Sequence, residues 1–148
     1  LVRVKLETDT DPPGGIRTEV RPLLEPFPVS VRVVVPECMG AGKVHACLAR
    51  SWKSRVKGRD WYDLIFFAAR GLPVDLGHLE ARLRQTGHWS GNATLTEAAA
   101  RSLLARRIEE LVWRKAVQDV LPFIRDTRAV EAWDKDLFLH VAERLIFR

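Results

Sequence analysis

Cysteine is scarce: Cys38 and Cys47 are the only two among 148 residues. Both fall in or beside one expected helix, where the nine-residue separation corresponds to about 13 Å of helical rise, too far for a disulfide. That excludes a disulfide-stapled scaffold, agrees with a reducing cytoplasm, and leaves both thiols as small buried side chains. The histidines His45, His78, His88 and His140 have no zinc-like spacing with either cysteine, so no zinc site is expected. No apolar run approaches the length of a membrane span, and the opening residues carry no uninterrupted hydrophobic stretch of signal-peptide type. No membrane partner is therefore expected, and the expected location is cytoplasmic. A Gly-x-Ser-x-Gly turn is missing too, and Ser51 and Ser54 lack an evident base, which argues against acyl transfer. There is no internal repeat and no low-complexity tract.

What is present fits a folded chain. A hydrophobic content of 47% suits one ordinary core, and a net charge of +5 with a pI near 9.7 is compatible with RNA without requiring it. The expected class is α+β, mostly helical: a single compact unit over 1–148, with strands and loop over 1–36 and a helical region over 37–148. Val2, Val4 and Leu6 alternate with Arg3, Lys5 and Glu7, which predicts a half-buried strand with Glu7 on its polar face. Residues 9–28, rich in Pro, Gly and charge, read as a connecting loop. Val29, Val31 and Val33 against Ser30 and Arg32 predict a second strand closed by Pro36. Helices are expected from Pro36 and Glu37 onward, from Trp61 to the Gly71 stop, over Leu76–Gln85, from a Thr94-x-x-Glu97 capping box to Trp113, over Ala116–Phe123 and over Val130–Phe147. Leu103, Leu104, Ile108, Leu111 and Val112 should form the buried stripe of the longest. Trp89, Trp113 and Trp133 read as core residues.

The chemistry concentrates in AGKVHACLARSWKSRVKGRDWYDL, Ala41 to Leu64. A lysine fixed on a helix face is a point charge for phosphate oxygens, and Lys43 is the candidate, sharing a face with Cys47 and Arg50. His45 lies on the other side. Five of the ten residues from Arg50 to Arg59 are Lys or Arg, with Trp52 inside the run and Trp61 just beyond, a pairing of charge with flat rings suited to nucleotide or RNA. Each feature also has a plainer structural reading. Lys43 can be a solvated side chain, the basic run a wet loop, and Asp60 the N-cap of the next helix with Asp63 in its first turn.

Together, AGKVHACLAR and RVKGRDWYDL resemble the AbiEii/AbiGii toxin family of nucleotidyltransferases, which pairs an Ala-x-Lys helix with an Arg-Asp-aromatic-x-Asp-Leu helix. VKLETDTDPP and the run EAAARSLLARRIEELVWRKAVQDVLPFIRD look like the rest of the family's C-terminal half, so the resemblance spans nearly the whole chain. It implies a nucleotidyltransferase core joined to a helical domain, a nucleoside triphosphate donor, magnesium, an RNA or protein acceptor that includes tRNA, and a toxin of toxin–antitoxin or phage-defence systems with a possible cognate antitoxin. Residue by residue, it implies that Lys43 and Arg59 engage the donor phosphates, that Asp60 and Asp63 form the acidic motif, with Asp63 favoured for catalysis or orientation, and that Glu7 is the strand carboxylate for metal. Glu7 can equally be an ordinary solvent-facing residue.

One departure from the family matters. Its first motif, a Gly-Gly/Ser turn followed by an acidic Asp-x-Asp pair, has no counterpart here, since Gly14-Gly15 follows Pro12-Pro13 and leads into Ile16, Arg17 and Thr18. Two-metal chemistry needs carboxylates that clamp attacking and leaving oxygens together, which a single glutamate does not supply. The expectation is therefore a portion of a nucleotidyltransferase, inactive on its own. The competing expectation is a non-catalytic helical module that grips RNA or a partner through the Arg50–Arg59 run.

Overall fold

The computed structural model describes residues 3–6, 8–50 and 56–148. Its architecture is α+β and mostly helical. Two antiparallel strands, β1 (Thr18–Leu23) and β2 (Val29–Val34), form a hairpin in which Thr18 faces Val34 and Leu23 faces Val29. Six helices follow: α1 (Pro36–Ala49), α2 (Gly58–Ala69), α3 (Leu76–Gln85), α4 (Glu97–Glu110), α5 (Trp113–Val120) and α6 (Lys135–Arg144). Two short parallel strands, β3 (Pro73–Val74) and β4 (Ile146–Phe147), tie the end of the chain back beside the start of α3.

The β2 strand, the start of α1 and the bounds of α3 agree with the sequence patterns. Gly71, at φ 59°, ends α2 in the left-handed conformation that glycine takes without steric cost. Other expectations need correction. Residues 3–6 form no strand and are exposed, while Glu7 lies outside the described residues. The stretch read as loop over 9–28 contains β1; proline and charge masked it because, among the described residues, each strand of the hairpin has one unpaired edge, where Pro22 and arginine are tolerated. Asp60 does not cap α2, whose N-cap is Lys57 with no side-chain bond. The cap of α4 is Thr96, not Thr94: its side chain accepts the Ala99 amide at 3.2 Å. That helix stops at Glu110, where the extended Leu111 and Val112 turn the chain into α5, so Val112 is exposed instead of joining the buried stripe. The final segment is a 3-10 turn (Thr127–Val130), α6 and β4, and not one continuous helix.

The core is built on rings. Trp61 of α2 meets the edges of Trp113 (5.2 Å between centroids) and Phe138 (5.5 Å); Trp113 and Phe138 stack at 4.2 Å, and Trp133 closes on Phe138 at 5.1 Å. This cluster fastens α2 to α5 and α6, as expected of Trp113 and Trp133 as core residues. Leu64, Leu79, Leu83, Leu104, Ile108 and Val120 extend it, all buried. Both cysteines are free and buried, and Cys47 belongs to this core, so it does not share Lys43's face; burial pushes its thiol well up.

Two arginines of α4 bind carbonyls at the ends of other helices. Arg101 donates to the carbonyls of Ala142, Glu143 and Leu145 at the end of α6, and Arg107 donates to those of Cys47 and Arg50 at the end of α1. A helix leaves its last carbonyls without intrahelical partners, and a forked guanidinium can take several at once.

Gly58 is the point of closest approach. Its amide donates to Asp119 at 3.0 Å, and a Cβ there would lie 2.0 Å from the Ala116 carbonyl oxygen. Gly58→Ala is expected to lose roughly 1–3 kcal/mol by overpacking, measured by denaturant unfolding. Gly14→Ala, where nothing lies within 4 Å, should change little.

Candidate nucleotide site

The site is formed where α1 and α2 pack side by side. Gly40 lets α1 approach Phe67 and the Pro73 carbonyl closely, since an added Cβ would meet them at 3.0–3.1 Å. On the face left open, Lys43 Nζ lies 2.6 Å from Asp63 Oδ2, and Arg50 Nη1 lies 2.9 Å from Asp60 Oδ2. Lys43, Arg50 and Asp60 line a groove of about 290 Å³ together with Arg82 of α3, walled on the hairpin side by Ile16 and Val34, with Asp63 just outside it. The structure thus places Lys43, Asp60 and Asp63 near one another.

The two ion pairs differ in kind. Lys43 and Asp63 are both half-exposed, and a pair of that sort is worth about 0–1 kcal/mol, little enough for a polyphosphate to displace. Asp60 is 7% exposed. Burial pushes its carboxyl above the usual range while Arg50, then Lys57 and Lys43, pull it back. Arg50 therefore neutralises a buried charge and is committed to the fold, whereas Lys43 is available to a ligand.

Arg59 is placed elsewhere. Its guanidinium lies 4.3 Å from the centre of the Phe123 ring, in a second cleft on the far side of Asp63. His45 points away from Lys43, bonding Thr86 at 3.1 Å. Burial, reinforced by Arg82, holds its imidazole down at about 4. Of the basic run, residues 51–55, including Trp52, lie outside the described residues. Sequence reasoning missed Arg82, which reaches the groove only because α3 packs on α1, and which His78 orients by accepting its Nε–H at 3.0 Å. The i, i+4 spacing of His78 and Arg82 was the available signal.

A model of the nucleotidyl transferase AbiEii toxin family, of type IV toxin–antitoxin systems, matches residues 1–139. The chain belongs to this family. No curated protein and no solved structure matches it significantly. The lysine helix and Arg-Asp-x-x-Asp helix of this AbiEii-family chain are the α1 and α2 that meet at the groove.

Magnesium, which the resemblance implies, does not fit the described part of the site. Asp60 and Asp63 each face a cation, and among the described residues no three His, Cys, Asp or Glu side chains gather closely enough to hold an ion. No helix among the described residues is long and apolar enough to cross a membrane.

Two pH effects should follow. An unfolded histidine titrates near 6.5, so the lowered pKa of His45 gives stability that is present above about pH 6.5 and is lost as pH falls toward about 4. His45→Gln should flatten that limb of the Tm–pH curve. Asp60 behaves oppositely, because a raised carboxyl costs stability as pH rises. Arg50→Ala should raise it further and steepen the loss of stability as pH rises above the ordinary carboxylate range, measured as Tm against pH. Adding Asp60→Asn to that variant should remove the dependence.

Proposed function

We propose that the groove binds the triphosphate of a nucleoside triphosphate and that the chain serves nucleotidyl transfer to an RNA acceptor, such as tRNA, as part of a cytoplasmic toxin in phage defence with a cognate antitoxin. The observation that carries this reading is the meeting of Lys43 and Arg82 at one groove with Asp63 poised against Lys43, in a chain whose family is one of nucleotidyl transferases. A triphosphate arriving there replaces Asp63 as the partner of Lys43, which frees the carboxylate at the moment the donor is bound. Asp63 then orients the nucleotide or the acceptor hydroxyl. Asp60 acts through Arg50 and is a positioning residue.

Phosphoryl transfer proceeds by positioning and charge neutralisation, and divalent metal ordinarily supplies much of the latter. The acidic pair that would hold it has no counterpart in this sequence, so the chain alone is proposed to bind donor without transferring it. Glu7, outside the described residues, is the carboxylate proposed to approach magnesium.

Isothermal titration with each nucleoside triphosphate tests this. Saturable binding that weakens tenfold or more in Lys43→Ala, with Tm unchanged, is the expected result, in line with the loss of a charge-assisted phosphate contact. Equal affinity in wild type and Lys43→Ala removes the lysine from the site. Asp63→Asn should bind triphosphate no more weakly than wild type, because it releases the competing carboxylate.

A further inference from the structure

The cleft beyond Asp63 has features the proposed phosphate groove does not use. It measures about 490 Å³ and lies between α2 and the segment from Leu121 to Ala129, lined by Arg59, Tyr62, Asp63, Phe123, Ile124 and Arg125 among others. Arg59, Tyr62 and Asp63 stand at i, i+3 and i+4 on α2, so one helix face supplies a cation, a ring and the carboxylate that pairs with Lys43.

Two rings of the cleft are open to solvent: Phe123 is 59% exposed and Tyr62 40%. Neither is loose. Tyr62 leans on buried Trp133 with centroids 6.2 Å apart, and Phe123 is held in a 3-10 turn (Leu121–Phe123) that begins at the end of α5. The Arg59 guanidinium lies over the Phe123 ring, leaving part of that ring to solvent. Exposed, positioned rings beside arginine form a platform on which a flat heteroaromatic ring stacks without regard to its sequence identity.

The second observation is proximity. Asp63 lines this cleft and Lys43 lines the groove, and the two side chains meet at 2.6 Å, so one ion pair stands between the two depressions. A nucleotide is a molecule with a polyanionic end and a flat apolar end a few ångströms apart. We infer that this cleft is a nucleobase site, in which the base of a nucleotide stacks against Phe123 and Tyr62 beside Arg59 while its phosphates face Lys43. The inference rests on the phosphate reading of the groove and adds to it the part of the substrate that distinguishes a nucleotide from bare phosphate. It also gives Arg59 a stacking role in place of the phosphate contact implied by the resemblance.

The base can come from the donor triphosphate or from the end of an acceptor RNA, and the test separates them. The full chain and its Phe123→Ala, Tyr62→Ala and Lys43→Ala variants are titrated with a nucleoside triphosphate, with inorganic tripolyphosphate and with a short single-stranded RNA. The expected result is that wild type binds the nucleoside triphosphate more tightly than tripolyphosphate. Phe123→Ala should weaken nucleoside triphosphate binding roughly tenfold, the range seen when a stacking ring is removed, and leave tripolyphosphate unchanged, whereas Lys43→Ala should weaken both. Loss confined to the triphosphate assigns the cleft to the donor base, and loss confined to RNA assigns it to the acceptor. Phe123→Trp, which keeps a stacking face, should retain affinity, and unchanged Tm across the series shows that the exposed rings were not holding the fold. If Phe123→Ala and Tyr62→Ala alter neither ligand, the nucleobase inference is overturned while a Lys43 effect on tripolyphosphate leaves the phosphate reading standing. If wild type binds none of the three, both are overturned.

Discussion

The packing of Trp61 against Trp113 and Phe138 is the contact on which the rest of the structure depends. Trp61 is fully buried and stands next to Asp60 and Tyr62, so seating its indole fixes the rotation of α2 about its own axis. Once that rotation is set, Asp63 faces Lys43 and Arg59 faces Phe123, and neither pairing can be adjusted independently. Burying an aromatic side chain of this size is worth several kcal/mol, far more than the half-exposed Lys43–Asp63 pair. The rings therefore decide the geometry and the charges accept it. Gly58 completes the constraint, since only a residue without a side chain lets α2 start against the Ala116 carbonyl.

The helical half of the fold was legible because its signals are local and periodic. The Pro36 start, the Gly71 stop and the full span of α3 could each be read from a few neighbouring residues. The misses have physical causes. The β1 strand carries proline and arginine at an edge where a strand does not need the usual apolar alternation, so its composition resembled a loop. Thr94 and Thr96 both precede α4, and only the tertiary position of Leu95, whose amide is held by Glu80, decides which threonine caps it. For Asp60, the capping reading failed because Arg50 claims the carboxylate from ten residues away, an interaction that no helix-start rule contains.

For the site, Lys43 and Asp63 were visible as types and spacings, and their meeting required only that α1 and α2 pack together. Arg82, Tyr62 and Phe123 were not visible in that sense, since their relevance comes from which faces the aromatic core leaves outward. The basic composition was a poorer guide than it looked. Arg101 and Arg107 are spent on the ends of α6 and α1, Arg84 on the Gly91 and Ala93 carbonyls, and Arg17 on Asp75. A pI near 9.7 thus reflects internal wiring as well as surface available to a polyanion.

The hairpin has a consequence for the behaviour of the chain in solution. Among the described residues each of its two strands keeps one unpaired edge, and Val20, Leu23, Leu24, Phe27 and Val29 are all exposed on it. Such a surface favours edge-to-edge association between copies, opposed here mainly by mutual repulsion of molecules carrying a net charge of +5. Added salt shortens the range of that repulsion to about 8 Å at physiological strength and less above it. The colloidal stability of the chain should accordingly fall with ionic strength, and dilute, low-salt buffer is the medium in which single molecules persist.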